Sequence, residues 1–196
     1  MTYLITQFFL FFAQAQVILP LILISYFFWD RKLVTQATSL LFLSMLVNSF
    51  LKGWMQLPQT YEAGRTLLSF PSGHMQAALA LYGWVAYRTE NSRLRSILGV
   101  LLLGLAWALV QTGMHGWLEI IGAVGFFVPL LFAYALLLRY EEVDPKRNEP
   151  FVLFGLLGFG TVALLALKQQ GTLHPHVFVA YYGLVGLLSG TKWVGD

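Results

Sequence analysis

A chain of 196 residues that is 58% hydrophobic, only 11% charged and free of cysteine excludes several classes of protein at once. A water-soluble domain carries about 25% charged residues, so most of this surface must face something other than water. The net charge of +3 is too small to imply a nucleic-acid partner, and without cysteine there is no disulfide framework or thiolate chemistry.

The apolar residues come in long runs, and a helix needs roughly 20 of them to cross a bilayer core. In chain order the runs are Tyr3–Phe28, Leu33–Leu51, Ser72–Tyr87, Leu94–Met114, Trp117–Leu138, Pro150–Leu167 and Val177–Leu188. The first contains Ala13-Gln14-Ala15, which resembles a signal-peptidase site. No positive charge precedes it and the apolar run continues past it, so it reads as a retained first helix. The third run is short. The last holds about a dozen apolar residues and is open to three readings: spanning, re-entrant or interfacial. The fold expected is an all-α polytopic helical bundle forming a single integral membrane domain over residues 1–196. Gln7, Gln14, Gln16 and Asn48, lying within runs, are expected to make interhelical contacts, and Trp29, Trp54, Trp117 and Tyr140 to form an interfacial belt.

The loop charges orient the bundle. With the N-terminus outside, the inner side holds Arg31, Lys32, Arg88, Arg93, Arg95, Arg139, Lys146, Arg147 and Lys192, and the outer side Lys52, Arg65 and Lys168. Cytoplasmic loops carry the excess of Lys and Arg, so this arrangement is expected. It gathers Lys52, His74, His115 and Glu119 at one depth on the outer side. Ionisable groups near hydrocarbon are expensive, and such a cluster is a functional-site hypothesis.

Pro71-Ser72-Gly73-His74 opens the third run. Ser72 suits an N-cap, Gly73 allows close approach to the backbone, and free N–H groups at a helix start attract anions. Read alone, the tetrapeptide is equally a capped helix with an incidental histidine. His115 and Glu119 are four residues apart and share a helix face. A carboxylate bonded to one ring nitrogen aims the other outward, as a nucleophilic or basic histidine requires; the pair also reads as a polar stitch between helices. Lys52 either snorkels to headgroups or supplies a point charge to phosphate. His174-Pro175-His176 reads as a plain loop, since a metal site needs a third ligand that is not in sequence reach.

Together, Lys52, Pro71-Ser72-Gly73-His74 and His115 with Glu119 resemble the three-part signature of the type-2 phosphatidic acid phosphatase superfamily, over about residues 48–122. The resemblance implies a six-helix core, which leaves the last apolar run as a candidate seventh segment, and metal-independent, cofactor-free cleavage of phosphate esters. It implies that His115 is the nucleophile forming a phosphohistidine and that Glu119 orients it. It assigns His74 to proton transfer, and Lys52, the Ser72 hydroxyl and the Gly73 amide to the phosphate oxygens. Two features depart from the pattern. The first part normally closes on Arg-Pro, where this chain has Leu57-Pro58, and the third begins Ser-Arg, where it has Ala108-Leu109. Arg65, in the same outer loop, is a candidate replacement.

The function expected is hydrolysis of a membrane lipid phosphate or pyrophosphate at the outer leaflet of a bacterial inner membrane, with the site facing the periplasm. Its partners are the bilayer and a lipid such as a prenyl pyrophosphate, phosphatidylglycerol phosphate, phosphatidate or lipid A phosphate. A lipid-linked phosphotransferase, a non-catalytic lipid-binding or transport protein and a structural subunit stay open beside it.

Overall fold

The computed structural model describes residues 2–56, 58–60, 66–68, 70–171 and 174–191. The described residues are almost wholly helical, as the long apolar runs require, because a backbone in hydrocarbon must satisfy its own hydrogen bonds. Large apolar side chains cover the outside of the bundle, among them Phe28, Leu103, Leu118 and Phe154, each at least 70% exposed.

The first run departs from the single helix expected. It folds as α1 (Thr2–Phe11) and α2 (Ala15–Phe28), bent by 49°. A break of this kind frees backbone carbonyls that need new partners, and the Phe12 carbonyl accepts the Tyr82 hydroxyl at 2.7 Å. Tertiary packing also holds α1: Gly104 has no room for a Cβ because the Phe9 ring lies against it. Gln7, Gln14 and Gln16 are exposed on this outer pair, which corrects their expected place between helices.

The second run is α3 (Arg31–Met55), capped by the Asp30 carboxylate, which accepts the Leu33 amide at 3.0 Å. Its 25 residues extend about 37 Å at 1.5 Å per residue. It is the central post: its apolar stretch is 67% buried, against 28% for each of the other long helices. Ser44, Asn48 and Ser49 explain that position, since polar groups within a span face protein rather than lipid.

Beyond α3, β1 (Pro58–Thr60) and β2 (Thr66–Leu68) pair antiparallel. Leu57 and Arg65 lie outside the described residues, and with them the expected role of Arg65. The third run is α4 (Gly73–Ala78), a π turn at Leu79–Gly83 and α5 (Trp84–Arg88). There follow α6 (Ser92–Gln111), α7 (Trp117–Val143), α8 (Pro145–Gln169) and α9 (Pro175–Thr191). Four of the described helices are long and apolar enough to cross a membrane, or five when the bent α1–α2 pair is taken as one span.

The last run forms a helix packed into the bundle. Helix α9 lies against α3 and α8, with Val177, Ala180 and Leu184 fully buried. Close packing of small residues makes this contact: a Cβ on Gly183 would come within 2.6 Å of the Phe42 ring. The Trp and Tyr residues of the expected belt, Trp29, Trp54, Trp117 and Tyr140, are all exposed near helix ends.

Candidate active site

The site is built from the far end of α3. Ser44, Asn48 and Lys52 recur every four residues and so share one face of that helix. Ser44 Oγ donates to the Gln76 carbonyl at 3.4 Å. Asn48 Nδ2 donates to the Gln76 side-chain oxygen at 2.8 Å and to the Pro71 carbonyl at 3.2 Å. These bonds hold the Pro71-Ser72-Gly73-His74 turn against α3, an interhelical role expected of Asn48. Gly73 then sits at a crowded place: a Cβ there would lie 3.2 Å from Asn48 Oδ1 and 3.8 Å from Lys52 Nζ. A side chain there would crowd the space between the turn and the lysine, which glycine leaves open.

Ser72 is the cap the sequence predicts. Its hydroxyl accepts the Met75 amide at 3.3 Å, and its own amide donates to the Glu119 carbonyl at 3.1 Å. It is fully buried and does not line the cavity described below. In this position the hydroxyl caps α4 and fixes the turn that carries Gly73.

His115 is placed by the turn between α6 and α7. Gly113 adopts φ +67°, the left-handed conformation that reverses a chain after a helix, and the His115 amide donates to the Leu109 carbonyl at 3.2 Å. The ring is 8% exposed and its centre lies 5.9 Å from that of His74. Glu119 joins the pieces, with its carbonyl on Ser72 and its carboxylate accepting the Gly116 amide to cap α7. The carboxylate lies 3.9 Å from His115 Nδ1, close enough for charge but longer than a hydrogen bond. The bonded His–Glu pair expected from the spacing is therefore an electrostatic contact here. Burial first, then His74 and Lys52, with Glu119 opposing, together hold the His115 pKa down at about 4. The ring is neutral at pH 7, the state in which an imidazole nitrogen has a lone pair to donate.

Lys52, Gly73, His74 and His115 share the wall of one cavity of about 700 Å³. Its remaining surface is mostly apolar, with Ile18, Leu19, Leu41 and Phe42 reaching in from α2 and α3. The cavity is thus a polar end joined to a hydrocarbon-lined one. Among the described residues, no three His, Cys, Asp or Glu side chains are grouped to hold a metal ion. Ala108 and Leu109, where the resemblance leads one to look for Ser-Arg, are fully buried in the core.

Sequence reasoning missed two participants. Gln76 was an ordinary residue of an apolar run until the fold set it beside Asn48. His176 read as part of a plain loop, yet it lies in α9 and on the cavity wall, with Nε2 3.2 Å from Ser49 Oγ, 127 residues away. No local pattern reports a pairing of that separation. Compared with known proteins, the chain matches no family model, no curated protein and no solved structure.

Proposed function

We propose that this chain is a metal-independent phosphatase of membrane lipid phosphates or pyrophosphates, acting through a phosphohistidine. The observation that carries the reading is the single cavity in which Lys52, Gly73, His74 and His115 meet at one end and apolar side chains line the other. A headgroup phosphate is met by cationic and N–H donors, and the lipid tail by hydrocarbon.

In the proposed reaction, His115 Nε2 attacks phosphorus, since Nδ1 faces Glu119. The bond from phosphorus to the leaving oxygen breaks, and that oxygen takes a proton from His74. Neutral His74 then removes a proton from water, whose oxygen attacks phosphorus. The P–N bond breaks, releasing orthophosphate and restoring His115. Such transfer needs mainly positioning and positive donors at the equatorial oxygens, which Lys52 and the Gly73 amide supply. We further propose the six-helix core of the type-2 phosphatidic acid phosphatase superfamily, formed by the α1–α2 pair, α3, the α4–α5 unit, α6, α7 and α8. Helix α9 is added to it, and the site faces the outer side of a bacterial inner membrane.

One observation favours a second reading, a non-catalytic lipid-binding or transport protein. Ala108 and Leu109 stand fully buried where the superfamily places an arginine, and loss of one oxyanion donor costs about 100-fold to 1000-fold in rate. Phosphate release from a panel of lipid phosphates, measured with chelator present, separates the readings. Release by wild type and none by His115→Ala supports the phosphatase. No release from folded protein sinks it, and transfer of the group to an added acceptor lipid would identify a phosphotransferase.

A further inference from the structure

A second cavity, of about 490 Å³, lies at the Arg31 end of α3, the opposite end from Lys52. Its size falls within the roughly 300–1,000 Å³ of pockets that hold small ligands. Part of its polar wall is already satisfied. Tyr134 donates its hydroxyl to the Gln36 carbonyl at 3.0 Å and is met by the Ser39 side chain, and Lys32 is bridged to Glu142. Three other groups on the wall are not. Arg31 lies over the Tyr26 ring at 5.7 Å, a contact that leaves its N–H donors unspent, and it makes no ion pair among the described residues. The Thr35 hydroxyl and the Gln36 side-chain amide have no hydrogen-bond partner among the described residues, although Gln36 is only 7% exposed. A group buried in that state costs free energy unless something polar meets it.

We propose that this cavity binds a diacyl phospholipid of the leaflet at the Arg31 end, with its phosphate on Arg31 and its ester carbonyls on Thr35 and Gln36. Arg31 and Thr35 are four residues apart and share a helix face, and Thr35 lies about 6 Å further along the helix. The three donors thus run inward from the exposed start of α3. A phospholipid carries its acceptors in the same order, with the charged phosphate outermost and the ester carbonyls a glycerol backbone below it. Much of the remaining wall is hydrocarbon, including Val152 and Leu156 of α8 and Leu188 of α9, against which the first carbons of the chains would rest. The rest of each chain would follow the apolar outside of the bundle. A free phosphate would account for Arg31 but for neither the buried amide nor the apolar wall. Glu141 also borders the cavity, so a phosphodiester, with its single negative charge, suits the wall better than a multiply charged headgroup. The site is independent of the phosphatase reading, since a phosphodiester lipid is not a substrate of the chemistry proposed at the Lys52 end.

The test uses the full-length protein in detergent, stripped of lipid and titrated with dioleoyl phosphatidylglycerol, with the matching diether lipid and with inorganic phosphate. Bound lipid is counted by native mass spectrometry for wild type, Arg31→Gln, Thr35→Val, Gln36→Leu and Lys52→Ala. Arg31→Gln is expected to weaken binding of the ester lipid about 5-fold, the worth of one basic residue at a lipid headgroup. Thr35→Val and Gln36→Leu should each weaken it about 2-fold to 10-fold, the range for one neutral hydrogen bond. Thr35→Val keeps the shape of the side chain, so it carries the test if Gln36→Leu does not fold. The diether lipid, which lacks the carbonyls, should bind wild type more weakly than the ester does, and that difference should shrink in Thr35→Val. Lys52→Ala should bind as wild type does. Equal binding by wild type, Arg31→Gln and Thr35→Val overturns the proposal, as does equal affinity for ester and ether lipids. Loss of lipid in Lys52→Ala alone would place it in the first cavity and overturn the proposal too. Displacement of the lipid by an equal concentration of inorganic phosphate would do the same, by making the site one for a free anion.

Discussion

The two ends of α3 use charged side chains in opposite ways. At the Arg31 end, Lys32 and Arg88 both reach Glu142, at 3.2 Å and 3.6 Å, and the partners are 37–65% exposed. Those cations are answered by an acid in solvent, and such pairs contribute little. At the Lys52 end, a lysine and three histidines line a cavity, and the nearby acid, Glu119, is engaged in capping α7 and anchoring Ser72. Positive and N–H donors are left facing a space of their own. One end resembles an ordinary membrane interface, the other a receptor for an anion, and the difference lies in how the charges are partnered.

The largest effect expected is at the buried end. Replacing His115 with Asn removes the proposed nucleophile while keeping its volume, and phosphate release should fall on the order of 10⁴-fold or more. Loss of an acid-labile phosphoryl adduct on the protein, trapped from labelled substrate, would accompany it; a retained adduct would move the nucleophile elsewhere. His74→Ala should cost roughly 100-fold to 10,000-fold, the range for general acid–base catalysis. Substrates whose leaving group needs no proton should be spared, and equal loss on all substrates would count against the role.

Acid provides a second contrast. Because His115 titrates near 4 when folded and near the ordinary value of about 6.5 when unfolded, the unfolded chain binds the extra proton between those values. Stability contributed by the neutral ring is present above about pH 6.5 and is lost as pH falls towards 4. Thermal unfolding of wild type should shift down across that window, and His115→Asn should shift less; identical pH curves would show that burial does not hold the ring neutral.

Smaller effects come from shape. Gly73→Ala places a methyl 3.2 Å from Asn48 Oδ1 and beside Lys52. The helix itself favours alanine by up to about 1 kcal/mol, so KM should rise several-fold with no loss of thermal stability. Unchanged KM would show that phosphate does not approach this backbone. Tyr82→Phe removes the hydroxyl that the Phe12 carbonyl accepts and should lower stability by about 1 kcal/mol. Least of all, Glu142→Gln at the exposed end should change stability by under about 0.5 kcal/mol and activity not at all; a large loss of activity there would erase the contrast between the two ends.

Much of this was legible in the chain. Long apolar runs with few charges compel membrane-length helices, because backbone groups in hydrocarbon bond within their own segment. Capping is equally local, and Ser72 caps α4 as its position before an apolar run predicts. Reading failed where a local pattern was silent about its surroundings. At the bend between α1 and α2, the Phe12 carbonyl finds its partner in Tyr82, 70 residues away. The spacing of His115 and Glu119 predicts a shared face, but the carboxylate's choice of the Gly116 amide over the ring is made by the α7 start.

What the sequence determined by itself is therefore the class of the molecule and the residue types at its polar end: a helical protein with helices long and apolar enough to cross a membrane, and Lys52, His74, His115 and Glu119 near helix ends. Only the tertiary structure decided that Ser72 is sealed behind the site, that Asn48 and Gln76 lock its two sides together, and that α9 brings His176 onto its wall. The physical reason is range. Periodicity, capping and hydrophobic length act within a few turns of one helix, whereas a cavity is the space left between helices, and its lining is set by how they pack.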